Sequence, residues 1–138
     1  MSETEAGELL EATRAFLRDE VLPQLEGFSA YNTRVAANNL AIVARELQLK
    51  PELDRLDLAI AGELGIDPGT GPVAQQMARR LRDRELALDD RLLEYLKHRT
   101  LKLLEIDNPR YSGYLQACER WGPEGLGAAE KAGSKAVE

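Results

Sequence analysis

Three features of the sequence predict an all-α fold. Apolar residues recur at three- and four-residue steps along most of the chain, no segment alternates with period two, and β-branched residues are sparse. The expected architecture is a compact bundle of five or six short helices around a central buried helix. That helix is Ser29 to Leu47, SAYNTRVAANNLAIVAREL. At about 100° per residue, Tyr31, Val35 and Ile42 share one side, and Ala36, Leu40, Val43 and Leu47 share the next. Ala37 and Ala44 widen the apolar surface, leaving a narrow polar stripe of Arg34, Asn38 and Arg45. A helix apolar over most of its girth is expected among neighbours, in the interior.

The other elements follow in chain order. Ser2 and Glu5 have capping-box spacing, which opens a first helix carrying Leu9, Leu10, Thr13, Phe16, Leu17 and Val21 on one stripe. Pro23 predicts its stop at Leu22, because the residue before proline is pushed out of the helical region. After the central helix, Pro51 suits the first turn of a third, with Leu53, Leu56, Ile60 and Leu64 as its apolar seam. GIDPGTGP, Gly65 to Pro72, reads as a loop. A fourth helix is expected from about Pro72 to Arg84 with Val73, Met77 and Leu81 inward. A fifth follows an Asp90 cap, with Leu93, Leu96, Thr100, Leu103 and Leu104 inward. Asn108-Pro109 restarts a short helix bearing Tyr111, Leu115 and Cys118. The chain thus reads as one helical domain over 1–121, followed by a mobile tail over 122–138 whose Gly, Ala, Lys and Glu bury too little to pack.

Composition narrows the class. With 138 residues, 43% apolar and 30% charged, the chain is long enough for a real core. The single Cys118 excludes an intrachain disulfide and cannot build a structural zinc site. The acidic, amphipathic start argues against a secretory signal, and no apolar run approaches the ~20 residues of a membrane span. A net charge of −6 disfavours nucleic acid and anionic membrane as partners. A soluble, cytoplasmic protein is the expectation.

Several stretches carry a family resemblance. RVAANNLAIVAREL (Arg34 to Leu47), ELLEATRAFLRDEVLPQL near the start, and LLEYLKHRTLKLLEIDNPRY ending at Tyr111 resemble a bacterial family of small helical domains of unknown function. The likeness covers most of Glu8 to Tyr111; the loop from Gly62 to Pro72 matches poorly and the tail lies outside. The family brings no catalytic residues. Its members resemble proteins encoded beside, or fused to, aminoglycoside-phosphotransferase-like kinases and acyl-CoA dehydrogenases. The resemblance therefore implies a partner of one of those classes, which is an association and not an activity.

The strongest candidate site is the stripe Arg34, Asn38 and Arg45, where two guanidiniums and an amide could meet a carboxylate or phosphate. Its structural alternative is internal pairing, with Asp107 the preferred counter-charge for Arg34. Asn39 and Glu46 project among Val35, Ile42 and Val43 and are expected as buried polar groups with partners. His98 shares the polar side of its helix with Glu94, Lys102 and Glu105, a set too small for zinc and without a placed nucleophile. Arg79, Arg80, Arg82 and Arg84 read as the wet face of a helix, without the interleaved aromatics that nucleic-acid binding uses. GTGP lacks the Lys-Ser/Thr and the preceding strand of a phosphate loop. Tyr114, Cys118 and Trp121 give the last helix an aromatic side for docking, on its own core or on another protein. No cofactor or metal is expected. The function expected is a non-catalytic helical accessory domain, with a small anionic-ligand binder or enzyme built on Arg34, Asn38 and Arg45 as the alternative. Self-association is compatible with the narrow seams of the third and fourth helices.

Overall fold

The capping box written into the first residues forms. Ser2 Oγ accepts a hydrogen bond from the Glu5 N–H at 3.2 Å, and the Ser2 N–H donates to the Glu5 carboxylate at 2.7 Å. These reciprocal bonds open α1 (Glu3–Phe16) in a computed structural model that describes residues 1–121, so the tail expectation for 122–138 lies outside the described residues. Five α-helices and no strand occur among those residues, and the chain is all-α. Beyond Phe16 it continues as a wide π turn, Leu17–Val21, and a 3-10 turn, Leu22–Gln24. Pro23 is tolerated there because it falls in the first turn, where its absent N–H would have no partner.

Gly27, with φ near +60°, starts α2 (Gly27–Leu64), a single helix of 38 residues where two were expected. Pro51 sits inside it and does not begin a new helix. The ring removes the donor for the Leu47 carbonyl, yet the flanking Glu, Leu, Gln and Lys residues are good helix formers and carry the helix through. The chain, expected as one domain over 1–121, groups into two compact units that divide at Pro51. The first comprises Met1–Pro51 with Ile106–Asn108; the second holds 52–105 and 109–121.

Within the first unit, Ser29 to Leu47 is not the buried hub that its composition suggested. Ala30 and Ala37 are buried, and Leu40, Ile42, Ala44 and Leu47 are half-buried. Tyr31, Val35 and Val43 are exposed. The two buried residues are alanines, whereas Tyr31, Val35 and Val43 face outward, a distribution that residue counting around the girth cannot show.

The second unit holds the larger core. Ile60, Ala61, Ile66, Val73, Met77, Leu92 and Tyr95 form it, with Leu56, Leu64, Leu81, Leu86 and Leu96 packed against them. The seams expected from Leu53 to Leu64 and from Val73 to Leu81 are the ones that face inward. α2 ends at Gly65 in the left-handed region, where the Ile66 N–H reaches back to the Ala61 carbonyl at 2.9 Å. Arg80 closes the same end, donating to the Leu64 and Gly65 carbonyls at 3.2 and 3.3 Å. A short 3-10 turn, Pro68–Thr70, leads to α3 (Val73–Arg82), and Gln76 holds this loop by donating to the Asp67 and Gly71 carbonyls.

α4 (Asp90–Asp107) departs from expectation at two points. Its cap is Asp89, whose carboxylate accepts from the Leu92 N–H at 2.8 Å, and not Asp90. Its inward face is Leu92, Tyr95 and Leu101, whereas Leu93, Thr100 and Leu103 are exposed. The phase is set by polar bonds. Tyr95 Oη donates to Asp57 at 2.6 Å and Arg99 Nε donates to the same oxygen at 3.0 Å. Both partners lie one turn apart on α4, so the stripe containing them must face α2. α5 (Ser112–Trp121) completes the described chain, with Lys97 5.5 Å from the centre of the Trp121 ring.

Two outcomes are expected in urea denaturation. Asp57→Ala strands a phenol and a guanidinium in a half-buried setting and lowers stability by about 2–3 kcal/mol, whereas Arg91→Ala, which breaks the exposed pair with Glu63, costs less than about 1 kcal/mol. Pro51→Ala restores a backbone donor within α2 and raises stability by about 1–2 kcal/mol with a gain in helical circular dichroism.

Candidate functional site

The polar stripe of α2 is brought only partly together. Arg34 and Asn38 lie one turn apart and are exposed, with no hydrogen bond or ion pair to another described side chain. Arg45 is committed elsewhere. Its Nε donates to the Ile106 carbonyl at 2.7 Å and its Nη2 to the Asp107 carbonyl at 3.4 Å. A guanidinium at the last carbonyls of α4 satisfies acceptors that lack intrahelical donors and meets the negative end of the helix dipole. The internal partner proposed for Arg34, Asp107, is therefore engaged by Arg45 instead, through its backbone and not its carboxylate. What the stripe leaves for an anion is one guanidinium and one amide.

Asn39, Glu46 and Asp107 are exposed, which corrects their expected burial. No polar or charged residue is buried among the described residues. For Asn39 and Glu46 the reason is that their neighbours Val35 and Val43 lie on the exposed face of α2. Phe28 is 76% exposed, Tyr31 60%, Val35 41% and Val43 44%. With half-buried Ile42 they form a stripe along the helix, bordered by Arg34 and Asn38 on one flank and interrupted by Asn39.

A second feature lies wholly within the second unit and was not anticipated. An open groove of about 490 Å³ is lined by Asp54, Asp57 and Arg99, the Gly69–Gly71 turn and the first residues of α3. Asp57 and Arg99 line it, and Tyr95, buried behind them, bonds the same Asp57 carboxylate. Burial and the adjoining Asp57 carboxylate hold the Tyr95 phenol well above its ordinary range, so it stays a hydrogen-bond donor. The ionisable groups in the groove lining are the carboxylates of Asp54 and Asp57 and the guanidinium of Arg99. One signal could have found it: Asp57 falls on the inward seam between Leu53, Leu56, Ile60 and Leu64, where a carboxylate demands a partner.

His98 is half-buried. Its pKa is lowered chiefly by burial and then by Lys102, against the opposing pull of Glu52 and Glu94. Lys102 itself bridges Glu52 at 3.2 Å and Glu105 at 3.3 Å. Tyr114 is pushed up to about 12 by burial and by its hydrogen bond with Cys118. Arg80 caps α2 and leaves Arg79, Arg82 and Arg84 as the exposed members of the basic run. Among the described residues, no three of His, Cys, Asp and Glu converge as a metal site, and no helix is long and apolar enough to cross a membrane. A histidine whose folded pKa lies below 6.5 binds fewer protons than the unfolded chain in the window between the two values. Stability should therefore be retained above pH 6.5 and decline as pH falls through the window, and His98→Gln should flatten that segment of a pH series of urea midpoints.

No curated protein and no solved structure matches the chain. A family model does, over residues 23–111, and it is described as a domain of unknown function, DUF6285. The match begins at Pro23, so the stretch from Glu8 to Leu22 lies outside it, whereas its end at Tyr111 coincides with the resemblance read from the sequence. It takes in the whole of α2, α3 and α4, which hold the apolar stripe, the groove and both arginine caps. By that match, which covers well over half of its length, the chain belongs to the DUF6285 family.

Proposed function

We propose that this chain is a non-catalytic helical interaction module. The observation that carries the reading is the outer face of α2, where Phe28, Tyr31, Val35 and Val43 stand exposed beside Arg34 and Asn38. Large apolar patches rimmed by polar groups are rarely left to water and mark docking surfaces. Enriched aromatics and an arginine at the border are the residue types that anchor such interfaces. The polar groups of the second unit are, by contrast, spent on one another: Asp57 on Tyr95 and Arg99, Lys102 on Glu52 and Glu105. That economy suits holding a scaffold together more than turning over a substrate.

The family resemblance supplies the partner class, a phosphotransferase-like kinase or an acyl-CoA dehydrogenase, which the module would assist in a reducing cytoplasmic setting suited to its free Cys118. Affinity capture from the native host tests the assignment. The tagged chain should enrich a protein of one of those classes. Arg34→Ala should reduce that enrichment several-fold while keeping the wild-type circular dichroism, because Arg34 is exposed and unneeded for folding. Enrichment of neither class, or full capture by Arg34→Ala, would count against this reading of the surface.

A further inference from the structure

We propose that the end of α3 is a second docking face, where Arg79, Arg82 and Arg84 take a short run of aspartates and glutamates from a partner protein. This face lies in the second unit and stands without the α2 surface.

Uncommitted charge is the first support. Elsewhere guanidiniums are largely spent: Arg14 on Glu11, Arg18 on Asp19, Arg91 on Glu63, Arg99 on Asp57, and Arg45 and Arg80 on helix-end carbonyls. Arg79, Arg82 and Arg84 are exposed and form no hydrogen bond or ion pair with another described side chain. Asp83 and Glu85 stand next to them in the chain and are not their partners. Three forks of donors therefore stay open, and each matches a carboxylate with two parallel bonds.

Backbone conformation is the second support. Arg84, just past the end of α3, has a φ of 58° and is alone among the described non-glycine residues in the left-handed region. At this stop the Glu85 N–H reaches back to the Arg80 carbonyl at 2.8 Å. Glycine takes such a position freely, whereas a side chain there is strained. The helix dipole favours Arg79 and Arg82 in the last turn, but it fades beyond that turn and does little for Arg84. An arginine held where glycine would be easier points to a use for its guanidinium.

Charge and spacing select the partner's chemistry. Arg79 and Arg82 are one turn apart on the outer face of α3, with exposed Gln75 and Ala78 beside them. That face offers no large apolar anchor, so recognition there is electrostatic, the mode in which arginine clusters read acidic motifs. A small anion finds no enclosure on a convex helix face. A nucleic-acid backbone is a continuous polyanion, which would meet Asp83 and Glu85 as well as the arginines and face a net charge of −6. Carboxylates spaced along a peptide can sit on the three arginines and pass the two acidic residues by.

Fluorescence anisotropy of a labelled octaglutamate peptide, titrated with the 138-residue chain, tests the assignment. The peptide should bind at low ionic strength and weaken several-fold as salt is raised. Arg79→Gln combined with Arg82→Gln should cost roughly tenfold in affinity with unchanged circular dichroism, since both side chains are exposed. Arg84→Gly should weaken the peptide several-fold while raising the urea midpoint, because it relieves the left-handed side chain. Arg120→Gln, at an exposed arginine elsewhere, and Arg34→Ala, on the α2 surface, should bind the peptide as the wild type does. Absence of binding at low salt, wild-type affinity in Arg84→Gly, or an equal loss in Arg120→Gln would overturn the proposal. An oligonucleotide of the same charge that binds more tightly than the peptide would overturn it too.

Discussion

The Asp57 carboxylate is the constraint on which the second unit turns. It lies on the inward seam of α2, between leucines that pack in the core, and an unpaired carboxylate there would be costly. Tyr95 and Arg99 answer it from α4, one turn apart, and in doing so fix the rotation of that helix. Leu92, one turn before Tyr95, turns inward with it, whereas Leu101 is buried on a different side of α4 from both polar residues. Two members of the network, Asp57 and Arg99, also line the groove beside the loop from Pro68 to Pro72. The polar triad thereby fixes which side of α4 meets the seam of α2.

Helix ends impose a second demand, met in the same way at both places where the structure shows it. The last carbonyls of a helix lack intrahelical donors. Arg80 supplies them to α2, and Arg45 supplies them to α4. Both arginines belonged to patterns that resemble binding surfaces in sequence: a basic run in one case, an anion-reading stripe in the other. A guanidinium's fixed fork of donors suits backbone carbonyls as well as it suits phosphate, so residue type and spacing alone do not separate the two uses.

Much of the fold was legible in the sequence. The capping box, the loop from Gly65 to Pro72, and the seams of Leu53–Leu64 and Val73–Leu81 follow from local rules that the structure obeys. Three things were not legible. Pro51 reads as a helix start but is carried inside α2 by its helix-forming neighbours. The inward face of α4 is not read from periodicity because leucine occupies nearly every side of that helix. The third is the exposure of Asn39 and Glu46 on the outer side of α2. Apolar periodicity tells which residues share a face, but not whether that face meets the chain's own core or water.

Burying alanines and exposing aromatics on α2 has a consequence for how the protein responds to change. The ring of Phe28, 76% exposed, contributes little to the folded chain's own packing. Its removal would alter how the protein behaves towards water and towards other molecules far more than how tightly the chain holds itself together. On this helix, solubility and folding are governed by opposite sides, and selection can tune one without disturbing the other.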